Sequence, residues 1–422
     1  MKKRFGKAAL SLTIAATMLA GTAQTVMAED AGDGKIVYWA QWSENETQAE
    51  VMKDAIARFE EANPEYTVEV NWAGREVRDI LSTSIEAGMR IDVIESSIGY
   101  FEQDLCTDIT EYMEGSEFAE KLIPSAVSIA RQLQDDADRW YFIPTQPFVG
   151  TIFYNKAIFA EAGIEKLPET WDEFMDCCQK IVDAGYSPIT SDDAYLPCLY
   201  AVYLGEKLGA EKISEMMSTP DASLWDTPEV LEMAQAYQEM VEKGYFTEGT
   251  GSFVFPTAQN TELALGTTAM YYNGSWLPNE VAEITGDDFQ WGAMYFPSPD
   301  GAIDPFKTYS TGVQGYAVPS TSENVEGAVK LLEEFSSEQT QKDLVEKCQC
   351  LPVIKGIEVP EALADCVSLM EEADAAVIWP YGVPNVDFSA DVQGIVNGSF
   401  AKLLSGDINA EEFVQEVTEQ LG

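Results

Sequence analysis

The 422-residue chain contains no histidine. Ser-His-Asp and Cys-His catalysis, imidazole metal ligation and a histidine pH switch are therefore excluded together. Seven cysteines remain: Cys106, Cys177, Cys178, Cys198, Cys348, Cys350 and Cys366. An odd number leaves at least one thiol unpaired. Cys177 and Cys178 are adjacent, and the one-residue gap between Cys348 and Cys350 is too short for a zinc knuckle. Mostly unpaired, buried thiols are expected. Among 72 acidic residues, carboxylate pairs arise by chance. No motif isolates one pair as the two carboxylates of a secreted glycoside hydrolase, the alternative of a different class. The expectation is a protein that is not an enzyme, needs no cofactor and holds no metal.

The remaining chemistry is aromatic faces beside short polar groups, and the elements that would position them come from the apolar pattern. Lys35 to Ala40 reads as a buried strand, Glu46 to Ala62 as an amphipathic helix, and Tyr66 to Trp72 as an alternating strand. Glu76 to Ala87 is helical and Ile91 to Glu95 is a third strand. That β-α-β-α-β order implies a parallel sheet flanked by helices, with ligands beyond the carboxyl ends of the strands. Trp140 to Pro144 is a strand leading into a Pro- and Gly-punctuated crossing at Gln146 to Gly150. Thr151 to Tyr154 is another strand, followed by a short helix from Ala157 to Ala162. Thr170 and Glu173 then form a capping box for a helix that aligns Trp171, Phe174, Cys177/Cys178 and Ile181. Trp171 is therefore assigned to packing, and so is Trp39 in the first strand. Later strands are predicted at Gly185 to Thr190, Thr268 to Tyr272, Gln290 to Phe296 and Thr311 to Pro319. Ser320 with Glu323 reads as a second capping box, for a helix through Phe335. Pro360 to Leu421 reads as helical.

Length beyond one ordinary core predicts two domains. A formal net charge of −47 repels phosphate backbones and anionic lipid, so nucleic acid is not an expected partner. At the start, Lys2, Lys3, Arg4 and Lys7 precede an apolar run from Ala8 to Ala20 and the small-residue site Val26-Met27-Ala28. Residues 1–28 thus read as a signal peptide, with an uncleaved membrane anchor as the alternative. No cysteine near that site supports a lipoprotein anchor. Export to the periplasm or the cell surface and extracellular space is expected.

Several segments carry a family resemblance. Tyr154-Asn155-Lys156, Ala162-Gly163-Ile164 and Pro168-x-Thr170-Trp171-Asp172-Glu173-Phe174 occur in that order. Gly266-x-x-Ala269-Met270-x-x-Asn273-Gly274-x-Trp276 follows, then Gly315 to Pro319 with Ser336-Ser337-Glu338-x-x-Gln341, then Leu404-Ser405-Gly406 with Glu411-Glu412. Together they resemble the family 1 extracellular solute-binding proteins, the maltose-binding-protein-like proteins of ABC sugar importers. The resemblance implies an α/β, two-lobed, periplasmic-binding-protein-like (type II) fold with an inter-lobe ligand cleft and hinge. It implies one lobe from residues 29–147 and 313–354 and another from 148–312 and 355–422. Hinges are implied at Gln146 to Gly150, at Tyr309 to Gly312 and near Leu351 to Lys355. The implied partners are a carbohydrate (a mono- or oligosaccharide) and the membrane permease subunits of an ABC importer, bound by a monomer. A non-sugar solute such as a polyamine is the alternative ligand.

A sugar cleft needs flat apolar faces and hydroxyl partners. Trp276 stands where the resemblance implies a cleft-facing aromatic. Trp42 and Glu44 follow the first strand, and Ser96 and Tyr100 follow the third. Gln146, Phe148 and Gly312 sit at the crossings. Asp193 and Tyr195 follow a second-lobe strand, with helix capping as the other reading of Asp193. Trp379 and Tyr381 occupy a Pro-flanked loop.

Overall fold

Alternating apolar strands and amphipathic helices build one half of a sheet that two long strands then share with the other half. The computed structural model describes residues 34–97, 103–132, 134, 138–255, 258–286, 288–303, 308–372, 375–378 and 389–422. Segment 1–28, read above as a signal peptide, lies outside them. The strands are β1 (Lys35–Ala40), β2 (Thr67–Trp72), β3 (Val93–Ser97), β4 (Phe142–Asn155), β5 (Ser187–Thr190), β6 (Thr268–Gly274), β7 (Trp291–Met294), β8 (Thr308–Ala317) and β9 (Ala375–Ile378). Their order is β2-β1-β3-β8-β4-β6-β5, with β7 on β4 and β9 on β8. β1 pairs in parallel with β2 and β3, as the opening β-α-β-α-β pattern predicts.

β8 runs antiparallel to both β3 and β4. The β4–β8 ladder extends from Phe142 opposite Ala317 to Gly150 opposite Ser310, with a register shift between Pro144 and Gln146. The sequence splits β4 into two strands with a punctuated crossing between them. The structure makes one strand of it, because Pro144 and Pro147 fall at and beside a bulge, where missing N–H donors are tolerated.

Side-chain alternation distributes the core. Tyr38 packs with Phe59, Trp140, Tyr316 and Phe335 in one cluster. Its neighbour Trp39 faces the opposite side, with Phe142, Val313 and Ala317. From Val149 onward the chain feeds a third and larger cluster that includes Trp171, Tyr237, Met270 and Phe400. β4 therefore leaves the first pair of clusters at Ile143 and enters the third at Val149, while β8 leaves the third at Tyr309 and enters the others at Val313. Among the described residues no helix is long and apolar enough to cross a membrane. No disulfide joins the seven cysteines.

Three local expectations are corrected. β3 begins at Val93 and ends at Ser97, so Ser96 lies inside the strand and not after it. The helix ending at Phe335 starts at Val325, capped by Asn324 and not by Ser320. The reason is Asp92, whose Oδ1 accepts from Ser322 Oγ (2.8 Å), Glu323 N (2.9 Å) and Asn324 N (3.2 Å). That turn spends its donors on Asp92, so the helix begins four residues later than a Ser320 cap would start it. The segment after Pro360 is not wholly helical, because β9 interrupts it.

The helix Trp171–Asp183 forms as read, with the Thr170–Glu173 capping box complete and Trp171, Phe174, Cys177, Cys178 and Ile181 buried. The Trp171 ring meets Tyr203 at 5.0 Å and Tyr237 at 5.5 Å, both edge-on. Trp171→Ala should therefore lose about 3–5 kcal/mol of stability in urea denaturation, against about 1 kcal/mol for Thr170→Ala. The reverse ranking would place the weight of this helix on its cap and not on its packing.

Candidate functional site

The site grows from one face of the central ladder. Gln146 of β4 pairs with Gln314 of β8, and Phe148 pairs with Gly312. Residues two apart on a strand share a face, and so do directly paired residues. Gln146, Phe148, Gly312 and Gln314 therefore look the same way. A Cβ built on Gly312 would stand 2.4 Å from the Phe148 ring, and one on Gly274 would stand 2.3 Å from the Trp276 ring. Both rings lie down on backbone that only glycine leaves open, which gives Asn273-Gly274-x-Trp276 a physical reason. The rings are half-buried and meet with centroids 5.2 Å apart, tilted by 58°.

Further side chains fix the tryptophan. Its Nε1 donates to the Tyr195 hydroxyl at 2.8 Å. Tyr195 packs edge-on against Tyr271 at 5.5 Å and Phe255 at 5.6 Å. Tyr271 donates to Asp192 Oδ2. Asp192 Oδ1 in turn accepts from the Ala194 (2.9 Å) and Tyr195 (3.1 Å) amides. The buried acid that organises this loop is thus Asp192. Asp193 is exposed, and its carboxylate accepts from Phe255 N at 2.9 Å, tying down the segment that carries Phe255.

The other half contributes the ends of β1 and β3. Trp42 is buried and donates from Nε1 to Glu95 Oε1 at 2.7 Å. Tyr38 donates its hydroxyl proton to Glu95 Oε2. The Arg75 guanidinium covers the Trp42 ring at 4.6 Å, and its Nη1 donates to Gln41 O at 2.8 Å. Gln41 Nε2 donates to Gln314 Oε1 at 2.9 Å, joining this corner to the ladder.

The structure therefore gathers Trp42, Gln146, Phe148, Gly312, Tyr195 and Trp276 along one connected surface. Two other candidates sit elsewhere. Ser96 pairs with Gly315, which puts it on the opposite face from Glu95 and Gln314. Glu44 is exposed and pairs with Lys53 at 3.3 Å, on the helix Thr47–Ala62. Tyr100, Trp379 and Tyr381 lie outside the described residues. The sequence reading missed Glu95, Gln314, Arg75 and Asp192. Only Glu95 left a signal, as a carboxylate on the apolar side of Val93-Ile94-Glu95. Several buried polar atoms near the surface have no partner among the described residues: Gln41 Oε1, Gln146 Nε2 and Ser191 Oγ. Unspent donors and acceptors beside half-buried rings suit a polyhydroxylated solute. Among the described residues no group of carboxylates and thiols could hold a metal ion.

Known proteins are similar to this chain along most of its length. Residues 41–342 match the family described as bacterial extracellular solute-binding protein. A binding protein of Brucella abortus is 24% identical over 404 residues, covering 93% of this chain and 89% of its own. The galactooligosaccharide-binding protein of Bacillus subtilis is 23% identical over 363 residues, covering 83% and 79%. A crystal structure of a secreted solute-binding lipoprotein from Streptomyces coelicolor superposes with a TM-score of 0.74 at 15% identity, covering 93% of this chain and 99% of that one. The fold is the two-lobed α/β fold of these proteins.

Burial pushes the Glu95 carboxyl up from 4.5 to about 7, against the opposing pull of the Tyr38 and Trp42 hydrogen bonds and the Arg75 charge. An acid whose folded pKa is raised favours folding fully below its unfolded value and loses that contribution as pH rises through the folded one. Between pH of about 4.5 and about 7, the native protein should lose on the order of 3 kcal/mol relative to Glu95→Gln. Denaturation of both proteins across that range checks it, and parallel pH profiles would show that Glu95 titrates normally.

Proposed function

The chain belongs to the bacterial extracellular solute-binding protein family, and on that premise we propose that it captures a carbohydrate and delivers it to the permease of an ABC importer. The observation that carries the sugar assignment is the Phe148–Trp276 ring pair laid over Gly312 and Gly274 beside the unspent amide of Gln146. Pyranose C–H faces stack on such rings, and the ring hydroxyls meet the neighbouring amides and carboxylates. The galactooligosaccharide-binding relative supports an oligosaccharide as the ligand. The protein acts as a monomeric binding protein outside the cytoplasm, in the periplasm or at the cell surface, and catalyses no reaction on its ligand.

The first lobe comprises 29–147 and 313–354, and the second 148–312 and 355–422. The division of the core supports this, since β4 and β8 each change clusters between their ends. The third crossing is less sharp. Leu351 packs with the second lobe, and Val353 and Ile354 pack with the first. Ligand touching both lobes would favour the closed arrangement by the difference in its affinity for the two states.

Isothermal titration against a panel of glucose-, galactose- and arabinose-based oligosaccharides, with polyamines as the contrast, tests the assignment. At least one sugar should bind, and Trp276→Ala should weaken it roughly 10–100-fold with little change in melting temperature. Binding of a polyamine and of no sugar would sink the carbohydrate assignment.

A further inference from the structure

Beside Trp276 the second half of the sheet carries a polar pair that the aromatic site does not use. The short helix Leu277–Glu280 follows Trp276 directly, and Glu280 N donates to Trp276 O at 3.1 Å. Glu280 thus stands one helical turn beyond Trp276. Asn260, from the helix Ala258–Ala264, reaches across so that its Nδ2 stands 3.5 Å from Glu280 Oε2. Asn260 is 6% exposed, and its Oδ1 has no partner among the described residues. Burying that acceptor unpaired costs free energy unless a donor arrives.

The electrostatics point the same way. Glu280 is exposed, yet its carboxyl is pushed up, first by the protein packed around it and then by the charge of Asp192, against the Asn260 hydrogen bond. The Glu280 charge also reaches the Tyr195 hydroxyl, the group that holds Trp276 Nε1. No lysine or arginine among the described residues pairs with Glu280. Asn260 Oδ1 and the Glu280 carboxylate are therefore neighbouring acceptors with no lysine or arginine among the described residues paired to them.

We propose that Asn260 and Glu280 form a second-lobe subsite that reads a hydrogen-bond donor, a hydroxyl or an ammonium, on the sugar ring lying against Trp276. The subsite rests on the carbohydrate reading above and adds its polar specificity. The ring's donor is accepted by the Glu280 carboxylate, and Asn260 Oδ1 accepts beside it. A ring carrying only hydrogen there leaves Asn260 Oδ1 unpaired and is rejected. A ring carrying a carboxylate or phosphate is repelled by Glu280 and Asp192.

The test titrates the wild type, Glu280→Gln, Glu280→Asp and Asn260→Ala against neutral oligosaccharides and the matching glucosamine oligosaccharides. For the tightest wild-type ligand, Glu280→Gln should weaken binding roughly tenfold or more at an unchanged melting temperature. Asn260→Ala should weaken it by less, and Glu280→Asp should recover part of the loss. A deoxy analogue lacking the contacted hydroxyl should bind wild type and Glu280→Gln alike. A preference for the glucosamine series that vanishes in Glu280→Gln identifies ammonium as the donor, and the same loss within the neutral series identifies hydroxyl. Glu280→Gln binding the tightest ligand within twofold of wild type overturns the subsite alone. A wild type that binds no sugar of either series overturns the carbohydrate reading and the subsite with it.

Discussion

The ladder between β4 and β8 is the constraint on which the rest of the structure depends. Each strand supplies one end to each half of the molecule, so a single set of backbone hydrogen bonds both joins the halves and orients them. Its register places Gln146 opposite Gln314 and Phe148 opposite Gly312. A one-residue slip would break this alignment of Gln146, Phe148 and Gln314 on one face. The bulge between Pro144 and Gln146 sits where the strand passes from one core to the next. There the chain gives up ladder regularity for a local bend, at the point where a proposed hinge has to bend.

Everything polar at the site is secured to that ladder through a few buried bonds. On one side Gln41 ties Trp42, Glu95 and Arg75 to Gln314. On the other, Thr311 Oγ1 donates to Phe148 O at 2.7 Å, and Phe148 leans on the ring that Tyr195 holds. Cys350 reaches in from the third crossing and donates from Sγ to Gln146 Oε1 at 3.2 Å. Three separate stretches of chain therefore meet at Gln146, and its Nε2 is still without a partner among the described residues. An amide held at one end and unspent at the other is oriented before any solute arrives. Such pre-organisation lowers the ordering cost of binding.

How much of this was legible in the sequence follows from the range of each signal. Local signals were readable: the Thr170–Glu173 cap, the apolar stripe from Trp171 to Ile181, and the first three strands with their parallel order. Trp276 and Tyr195 were readable as candidates from the motif and the strand ends, whereas their hydrogen bond to each other was not. The rest depends on pairing between distant residues. Ser96 and Glu95 differ by one position, and only the register against Gly315 and Tyr316 decides which faces Trp42. Asn324 displaces Ser320 as a cap because Asp92, more than two hundred residues earlier, takes the donors of that turn. Glu44 looked like a strand-end ligand until Lys53 was seen to hold it.

The same geometry bears on how binding and closure are linked. The Trp42–Glu95 corner lies on the first half and the Trp276–Tyr195 corner on the second, and Gln41, Gln314 and Gln146 stand between them on the ladder. A solute that touches a single corner has no differential affinity for the angle between them and cannot shift it, however tightly it binds. A solute that spans from the Phe148–Trp276 rings to the Gln146 amide or beyond does have one. For a reader at the membrane that recognises only the closed shape, ring stacking alone is then an incomplete signal. The polar groups of the opposite half must also be engaged. Glu95, buried behind Trp42, accepts from that ring and from Tyr38 and so fixes the first-half wall.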